Sequence, residues 1–229
     1  MTTNTTTLTL VCKRPRKGVG KQRIASQLGS SATQALADLL LACAVEDLTS
    51  WEGDRAILVA QAEDVAWAKT LCSDAFVVAQ CEGNLGERLM QGSRTIRDNG
   101  CTKLMLIGSD CPTLSADYLH ACANALQHND IVLGDASDGG VVVMGSRVQW
   151  PALADLPWST DRLADSLAQR CAQSGLSVAR HTSLSDVDEA SQLEDLFVEL
   201  EHDRRPARRA LRYWLDQFLQ ARSSNAAHA

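Results

Sequence analysis

A carboxylate stands directly after a short apolar segment near the middle of this 229-residue chain. Leu104–Ile107 is a continuous apolar run, and Asp110 follows it after Gly108 and Ser109. Such a run predicts a buried strand, and ligands of open α/β sheets bind beyond the carboxyl ends of the strands. An Asp at a strand end that holds a hard divalent cation against a diphosphate is typical of nucleotide-using transferases. The alternative for this Asp alone is a turn residue ahead of a helix that begins near Ser115.

A basic loop follows the first predicted strand, Leu8–Cys12. The segment from Lys13 to Arg23 carries six cationic side chains and two glycines, which favours a flexible loop that wraps phosphates. It is not a Walker-type P-loop, because Pro15 stands where that pattern needs Gly and Gln22 stands where it needs Ser or Thr. A solvated basic loop is the alternative.

Further carboxylates lie in two later segments. Asp138 precedes two glycines between the apolar runs 131–134 and 141–145, a pattern typical of a hairpin turn that also leaves the carboxylate free to face a ligand. Asp186 and Asp188 follow at a predicted strand end, where alternation puts both on one face and within reach of one cation. Acidic residues that precede a helix are the ordinary alternative for this second segment.

Strands and helices alternate along the chain and would position these residues. Further strands are predicted at 56–60, 75–79, 131–134, 141–145 and 176–179, and helices at 30–49, 63–71, 115–127 and 160–173, with another that ends near 99. Alternation of this kind requires crossover connections and therefore a mainly parallel sheet. We expect a single α/β domain of this kind, flanked by helices, with Ser30 or Ser31 as the cap of the first long helix. Residues 151–159, with Trp150 and Trp158, interrupt the pattern and suggest an acceptor-side lip.

The C-terminal segment has a different composition. Residues 204–222 are rich in Arg and carry apolar residues at helical spacing, which predicts an amphipathic helix that packs on the 1–203 domain or on a second subunit. Its Arg208, Arg209 and Arg212 are expected to face solvent or an acidic neighbour. Residues 223–229 should fray.

Composition limits the class of protein. The apolar share of 45% is globular, and the net charge of −6 argues against nonspecific binding to nucleic acid or membrane. No apolar run approaches the roughly 20 residues that a membrane helix needs, and the Thr-rich N-terminus lacks the features of a secretory signal. The eight cysteines form neither a Cys-x-x-Cys pair nor a zinc-spaced cluster. We therefore expect reduced thiols and a cytoplasmic protein.

Taken together, these segments resemble the rSAM/selenodomain-associated transferase 1 family of GT-A-type transferases. Some members are linked to arsenosugar biosynthesis, and the family is distantly related to the guanylyltransferases for molybdenum cofactor and 2-phospholactate. The family motifs KxPxxGxxKTRLA, GxLGERM, GSDCPTL, VLGPAxDGGYYLIG, PWST and DVDT correspond to residues 13–25, 83–90, 108–114, 132–145, 157–160 and 186–189. The resemblance covers residues 8–200 in unbroken order and excludes the C-terminal helix.

The resemblance implies a set of site residues. The nucleotide-binding set is Lys13, Arg14, Lys21, Arg23, Gly83, Leu85, Gly86 and Ser109. Within it, the Lys residues and Arg23 would contact phosphates, and residues 83–86 would shape the pocket on the base side. Asp110 would bind Mg²⁺ or Mn²⁺ with Asp188 as a second ligand, and Asp138 would face the acceptor and accept its hydroxyl proton in sugar transfer.

The implied activity is metal-dependent transfer from a nucleotide-activated donor, with glycosyl transfer from a nucleotide sugar to a small-molecule acceptor preferred. Nucleotidyl transfer from an NTP to a small phosphorylated or acidic acceptor, and a catalytically weakened nucleotide-binding protein, are the alternatives. The expected partners are these small molecules, with no nucleic acid or membrane, in a monomer or homodimer. The sequence departs from the family motifs at Gln22, Ile24, Asp135 and Val141–Val142, and the last change removes an aromatic pair that could hold an acceptor.

Overall fold

The computed structural model describes residues 5–18 and 21–226, apart from the side chains of Gln22 and of residues 223–226. The strands are β1 (Thr6–Cys12), β2 (Arg55–Val59), β3 (Phe76–Ala79), β4 (Lys103–Ile107), β5 (Ile131–Ala136), β6 (Val141–Ser146) and β7 (Val178–Leu184). The helices are α1 (Gln22–Leu28), α2 (Ser30–Ser50), α3 (Val65–Leu71), α4 (Leu85–Asp98), α5 (Ala116–Ala125), α6 (Leu163–Gln173), α7 (Gln192–Glu199) and α8 (Pro206–Ala226). Val19 and Gly20 of the basic loop and residues 227–229 lie outside the described residues.

The seven strands form one sheet in the order β3-β2-β1-β4-β6-β5-β7. Only β6 runs against its neighbours β4 and β5, and the other strands are mutually parallel. The mainly parallel α/β fold predicted from the sequence is therefore confirmed. Because parallel strands share one carboxyl edge, the segments that follow β1, β4, β5 and β7 all emerge on the same side of the sheet.

Side chains alternate between two cores on the two faces of the sheet. Leu10, Ile57 and Met105 point into a core that is covered by α2, α3 and α5. Leu58 and Leu106 point into the opposite core, which is covered by α4 and α6. This period of two is the geometry of a pleated strand, and burial on both faces explains why β4 is a continuous apolar run.

A third cluster of buried side chains joins helices α1, α2, α7 and α8. Leu211 and Leu215 of α8 are fully buried in it, so this helix packs on its own chain. Arg208 is also fully buried, against two acidic residues of α2. Of the two environments expected for this Arg, an acidic neighbour is correct and solvent is wrong. The helix continues to Ala226, past residue 222, where fraying was expected.

Several elements differ from the sequence prediction. The short helix α1 was not predicted, and α7 was implied only by the alternative in which the acidic residues 186–189 precede a helix. Strand β7 extends through a polar run to Leu184, which an edge strand tolerates because much of its surface is exposed. Gly29, with φ 78°, caps α2 instead of Ser30 or Ser31. Trp150 is buried in the core and does not form a lip.

None of the described helices is both long enough and apolar enough to cross a membrane.

Candidate functional site

A cavity of about 530 Å³ opens at the carboxyl edge of the sheet. One side of it is charged and the other is apolar. The charged side is lined by Lys21, Arg23, Asp138, Asp186 and Asp188. The apolar side is lined by Val11, Leu85, Leu89, Leu106, Val141, Met144, Trp158 and Leu163. A cavity with this division suits a ligand that carries both an anionic group and a flat or apolar group.

A backbone hydrogen bond joins the segments that follow two strands at this edge. The carbonyl oxygen of Asp110, beyond β4, accepts a hydrogen bond of 2.9 Å from the amide of Val187, beyond β7. This bond holds the segment with Asp186 and Asp188 beside Asp110. The turn between β5 and β6 is a hairpin, because the two strands are antiparallel neighbours. In this turn the carboxylate of Asp138 accepts a hydrogen bond of 2.8 Å from the amide of Gly140, and it also lines the cavity.

Lys21 inserts its ammonium group between the carboxylates. Its Nζ lies 3.1 Å from Oδ1 of Asp110 and 3.4 Å from Oδ1 of Asp188, and it donates a bond to the carbonyl oxygen of Val187 at 2.5 Å. Only 10% of the side chain is exposed. Its backbone is left-handed, with φ 45°, which costs about 1–2 kcal/mol for a residue other than Gly. Strain of this kind persists where surrounding contacts hold it, and it clusters at functional sites.

Asp188 also belongs to a group of three carboxylates. Asp138, Asp186 and Asp188 each offer an oxygen within 4.8 Å of the others. One oxygen of Asp186 is buried and has no hydrogen-bond partner. Burial first, and then the negative charges of neighbouring Asp residues, raise the pKa of the Asp186 carboxyl to about 6. Hard oxygen donors, one of them unpartnered, fit a divalent cation such as Mg²⁺ or Mn²⁺.

The structure divides the predicted metal pair. Asp188 belongs both to the three-carboxylate group and to the contacts of Lys21, whereas Asp110 is held by Lys21 and by the hydroxyl of Ser109 at 3.3 Å. Asp110 and Asp188 are thus linked by the ammonium of Lys21, which contacts both carboxylates. Asp186, which the sequence grouped with Asp188 by alternation, joins the group from a loop, because β7 ends at Leu184.

The cations of the basic loop do not all face the cavity. Arg23 lines it, with an ion pair of 3.9 Å to Glu189, and Lys13 is exposed beyond the end of β1. Arg14 instead lies over the ring of Trp67, at 5.6 Å from its centroid, and 3.7 Å from buried Asp64. These contacts place the Arg14 guanidinium beside α3, where Arg16 pairs with the same Asp64 at 2.6 Å. This contact could not be predicted from the sequence, because the burial of an Asp ahead of a helix leaves no pattern.

The glycine segment shapes the wall opposite the basic loop. Gly83 has φ 118°, and the segment then enters α4 through a capping box between Asn84 and Glu87. Leu85 lines the cavity. A Cβ at Gly86 would overlap the carbonyl oxygen of Leu153 and lie 2.7 Å from Nε1 of Trp158. This close approach requires glycine and brings the 153–158 segment against the cavity.

Sequence reasoning missed most of the apolar wall. Leu89, Leu106, Met144 and Leu163 resemble ordinary core residues, since each also belongs to, or borders, the buried cluster beneath the sheet. Trp158 was expected near an acceptor, and it does line the cavity. Helical and strand periodicity predict which face is buried, but they do not reveal where a core ends in an open cavity.

Comparison with solved structures defines the class of fold. A proposed nucleotide-diphospho-sugar transferase from Desulfovibrio desulfuricans is 22% identical, with a TM-score of 0.83, over 93% of this chain and 97% of that one. A cytidylyltransferase from Leptospira borgpetersenii is 9% identical, with a TM-score of 0.56, over 97% of this chain and 95% of that one. Rv0371c of Mycobacterium tuberculosis, in complex with manganese, is 15% identical, with a TM-score of 0.50, over 84% of this chain and 97% of that one. The fold is therefore the GT-A-like fold of nucleotide-sugar transferases and nucleotidyltransferases.

Residues 44–160 match a family described as an uncharacterized protein conserved in bacteria, DUF2064. The chain belongs to this family. A search of curated proteins finds no match.

Proposed function

We propose that this protein is a metal-dependent transferase that moves a glycosyl group from a nucleotide sugar to a small-molecule acceptor. The observation that carries the proposal is the meeting of Lys21, Asp138, Asp186 and Asp188 at one side of a cavity whose other side is apolar, with Asp110 in contact with Lys21. The fold shared with a proposed nucleotide-diphospho-sugar transferase supports this class of donor. The six ordered motifs support membership of the rSAM/selenodomain-associated transferases within it.

The carboxylates and Lys21 would handle the diphosphate. Asp110 and Asp188, with Asp186 beside them, would hold Mg²⁺ or Mn²⁺, which when bound neutralises the charge of the leaving diphosphate. Lys21 would contribute a second positive charge from the same position, and exposed Arg23 a third at the mouth of the cavity. Lys13 would meet the phosphates from the end of β1. Arg14 is left out of this set, because its guanidinium is held by Asp64 and Trp67.

The remaining cavity residues would orient the other groups. Leu85 and Trp158 line the wall on which the base or sugar would pack, and that packing would exclude water from the reacting bond. Gly86 would serve this wall by allowing α4 to lie close to Trp158. Asp138 is exposed in the β5–β6 turn, where one of its oxygens accepts a hydrogen bond from the amide of Gly140. We assign it to the acceptor, whose hydroxyl proton it would accept as the new glycosidic bond forms.

Nucleotidyl transfer is the second candidate, since the same fold is found in a cytidylyltransferase. The two reactions release different products. Glycosyl transfer from a nucleotide sugar releases a nucleoside phosphate, whereas nucleotidyl transfer from an NTP releases pyrophosphate. Purified protein should therefore be offered a panel of nucleotide sugars and NTPs with Mn²⁺, and binding followed by calorimetry before products are identified by mass spectrometry.

A matched pair of variants ties the result to the site. Asp110→Asn should retain the fold and lose Mn²⁺-dependent donor binding by at least tenfold. Asp98→Asn, at an exposed position at the end of α4, should bind as the parent does. Selective binding of a nucleotide sugar supports glycosyl transfer, and selective binding of an NTP with pyrophosphate release supports the second candidate. Binding of neither class, or unchanged Mn²⁺ dependence in Asp110→Asn, contradicts the proposal.

A further inference from the structure

The fully buried guanidinium of Arg208 links the C-terminal helix to the segment that follows Asp110. Its Nε donates to the carbonyl oxygen of Pro112 at 3.0 Å, and its Nη2 lies 3.3 Å from that of Leu114. The same group bonds to Cys43 and to Asp47 at 2.5 Å, and to Glu46 at 3.0 Å, all on α2. Every nitrogen of the guanidinium is therefore used.

Arg205, directly before the first residue of α8, makes further hydrogen bonds to the same loop and to α2. Its Nη1 donates to the carbonyl oxygen of Leu114 and to Asp47, both at 2.8 Å. Asp203 in turn accepts three bonds from the Arg205 guanidinium. Two arginines thus hold residues 112–114, which lie in a loop and have no strand or helix to fix them.

This loop carries a site residue at its other end. Asp110 bonds through its carbonyl oxygen to the amide of Val187 and through its carboxylate to Lys21. Between the two anchored ends there is only one short turn, in which the amide of Leu114 donates to the carbonyl oxygen of Cys111 at 3.2 Å. A displacement at Pro112 must therefore be transmitted to Asp110 within two residues.

We propose that Arg208 is a positioning residue: by fixing the carbonyl groups of Pro112 and Leu114, it holds Asp110 in register with Lys21 and Asp188. That this placement serves donor binding rests on the function proposed above. Only an Arg can do this, because a planar fork of five donors reaches acceptors on α2 and on the loop at once, whereas a Lys ammonium reaches one group of acceptors. The C-terminal helix, which lies outside the matched residues 44–160, then becomes part of the site's support.

Cys111 offers a direct measure of this role. Its thiol is half-buried within the loop and lies 3.6 Å from the hydroxyl of Thr113, so the folded loop limits the access of an alkylating reagent. Loosening of the loop would speed its alkylation. Cys171, fully buried on α6 in a different cluster, reports global unfolding in the same molecule. The ratio of the two alkylation rates, measured by peptide mass spectrometry, separates a moved loop from a weakened protein.

Arg208→Lys should raise the Cys111-to-Cys171 ratio at least tenfold relative to the parent. Leu215→Ala is the matched control, because it removes a fully buried side chain of the same helix that makes no bond to the loop. It should lower stability and leave the ratio within a factor of two. If Arg208→Lys does not fold, Arg205→Met, at a less buried position, should raise the ratio by about threefold.

The outcomes distinguish the two proposals. An unchanged ratio in the Arg variants, or an equal rise in Leu215→Ala, overturns the positioning role whatever the protein binds. A raised ratio, together with weaker Mn²⁺-dependent donor binding only in the Arg variants, supports both proposals. A raised ratio in a protein whose parent binds no nucleotide supports the positioning of the loop and overturns the proposed function alone.

Discussion

The ammonium of Lys21 lies 3.1 Å from the carboxylate of Asp110, where the segments that follow β4 and β7 meet. Without this ammonium, the carboxylate of Asp110 would be repelled by that of Asp188, which contacts the same ammonium at 3.4 Å. Lys21 therefore balances the charge of the site before any ligand arrives. A cation bound by these Asp residues and the ammonium of Lys21 must share the same negative charge.

Replacement of Lys21 by Met tests this relationship. In the absence of metal, the variant should lose about 1–3 kcal/mol of unfolding free energy, because it loses charge-assisted hydrogen bonds in a partly buried setting. Mn²⁺ should restore more stability to the variant than to the parent, since the carboxylates then have no internal cation. Thermal unfolding with and without Mn²⁺ measures both effects.

Arg23→Met is the control for that experiment. Arg23 also lines the cavity, but it is exposed and lies 3.9 Å from Glu189, so its loss should change metal-free stability by less than about 0.5 kcal/mol. A Lys21 variant that unfolds like this control, with the same response to Mn²⁺, would contradict the balance of the Asp charges by Lys21.

The position of the site could be predicted from the sequence because it follows from topology. Alternating strands and helices require a parallel sheet, and a parallel sheet brings the residues beyond its carboxyl ends together. Asp110, Asp138 and Asp188 lie far apart in the chain, yet each follows a strand that ends at the same edge of the sheet. Their roles stay predictions, but their meeting at one edge is what the strand pattern implied.

Side-chain partners that depend on long-range packing could not be predicted in the same way. The direction of Arg14 depends on Asp64, whose burial is set by α3 and not by its neighbours in sequence. Arg208 did leave a sign. It lies three residues before Leu211 and seven before Leu215, so helical periodicity puts it on the buried face. Its charge nevertheless favoured solvent or an acidic neighbour over a buried position.

The raised pKa of Asp186 predicts a pH dependence. Its ordinary value of 3.8 rises to about 6 in the ligand-free protein. As pH rises, the unfolded chain therefore releases this proton at a lower pH than the folded protein does. The contribution of the Asp186 carboxyl to the free energy of unfolding is complete below about pH 4 and is lost as pH passes 6. Cation binding should show the opposite trend and strengthen from pH 5 to 7, because the cation competes with the proton.

Denaturant unfolding across pH 4–7 measures the Asp186 contribution. Asp186→Asn should lack this component, so the stability of the variant relative to the parent should increase as pH rises. Asp98→Asn should follow the parent throughout. Parallel curves for the parent and Asp186→Asn would show that this carboxyl is not the titrating group.

Gly86→Ala tests the close approach between α4 and the 153–158 segment. The added Cβ would overlap the carbonyl oxygen of Leu153, so either α4 or the loop must shift, at a cost of about 1–3 kcal/mol. We also expect weaker donor binding, since Leu85 and Trp158 of the cavity wall move with these elements. Unfolding and calorimetry measure the two effects.

Gly108→Ala is the matched substitution. Gly108 also lines the cavity, but the nearest atom to a Cβ there is 4.0 Å away, so the extra methyl group fits. Its stability should match that of the parent to within about 0.5 kcal/mol. Equal losses in the two Ala variants would mean that overlap with Leu153 is not what makes Gly86 necessary.

The last prediction concerns the attachment of α8. Leu211 is fully buried between α8 and the helices beneath it, whereas Tyr213, two residues later on the same helix, is 70% exposed. Leu211→Ala should lower the unfolding free energy by about 2–5 kcal/mol, because it removes buried apolar surface and leaves a cavity. Tyr213→Ala should change it by no more than about 0.5 kcal/mol.

Truncation after His202 removes Leu211, Leu215 and Arg208 together and should destabilise or aggregate the protein. A truncated chain as heat-stable as the parent, or equal effects of the two Ala substitutions, would contradict a helix that packs on its own domain.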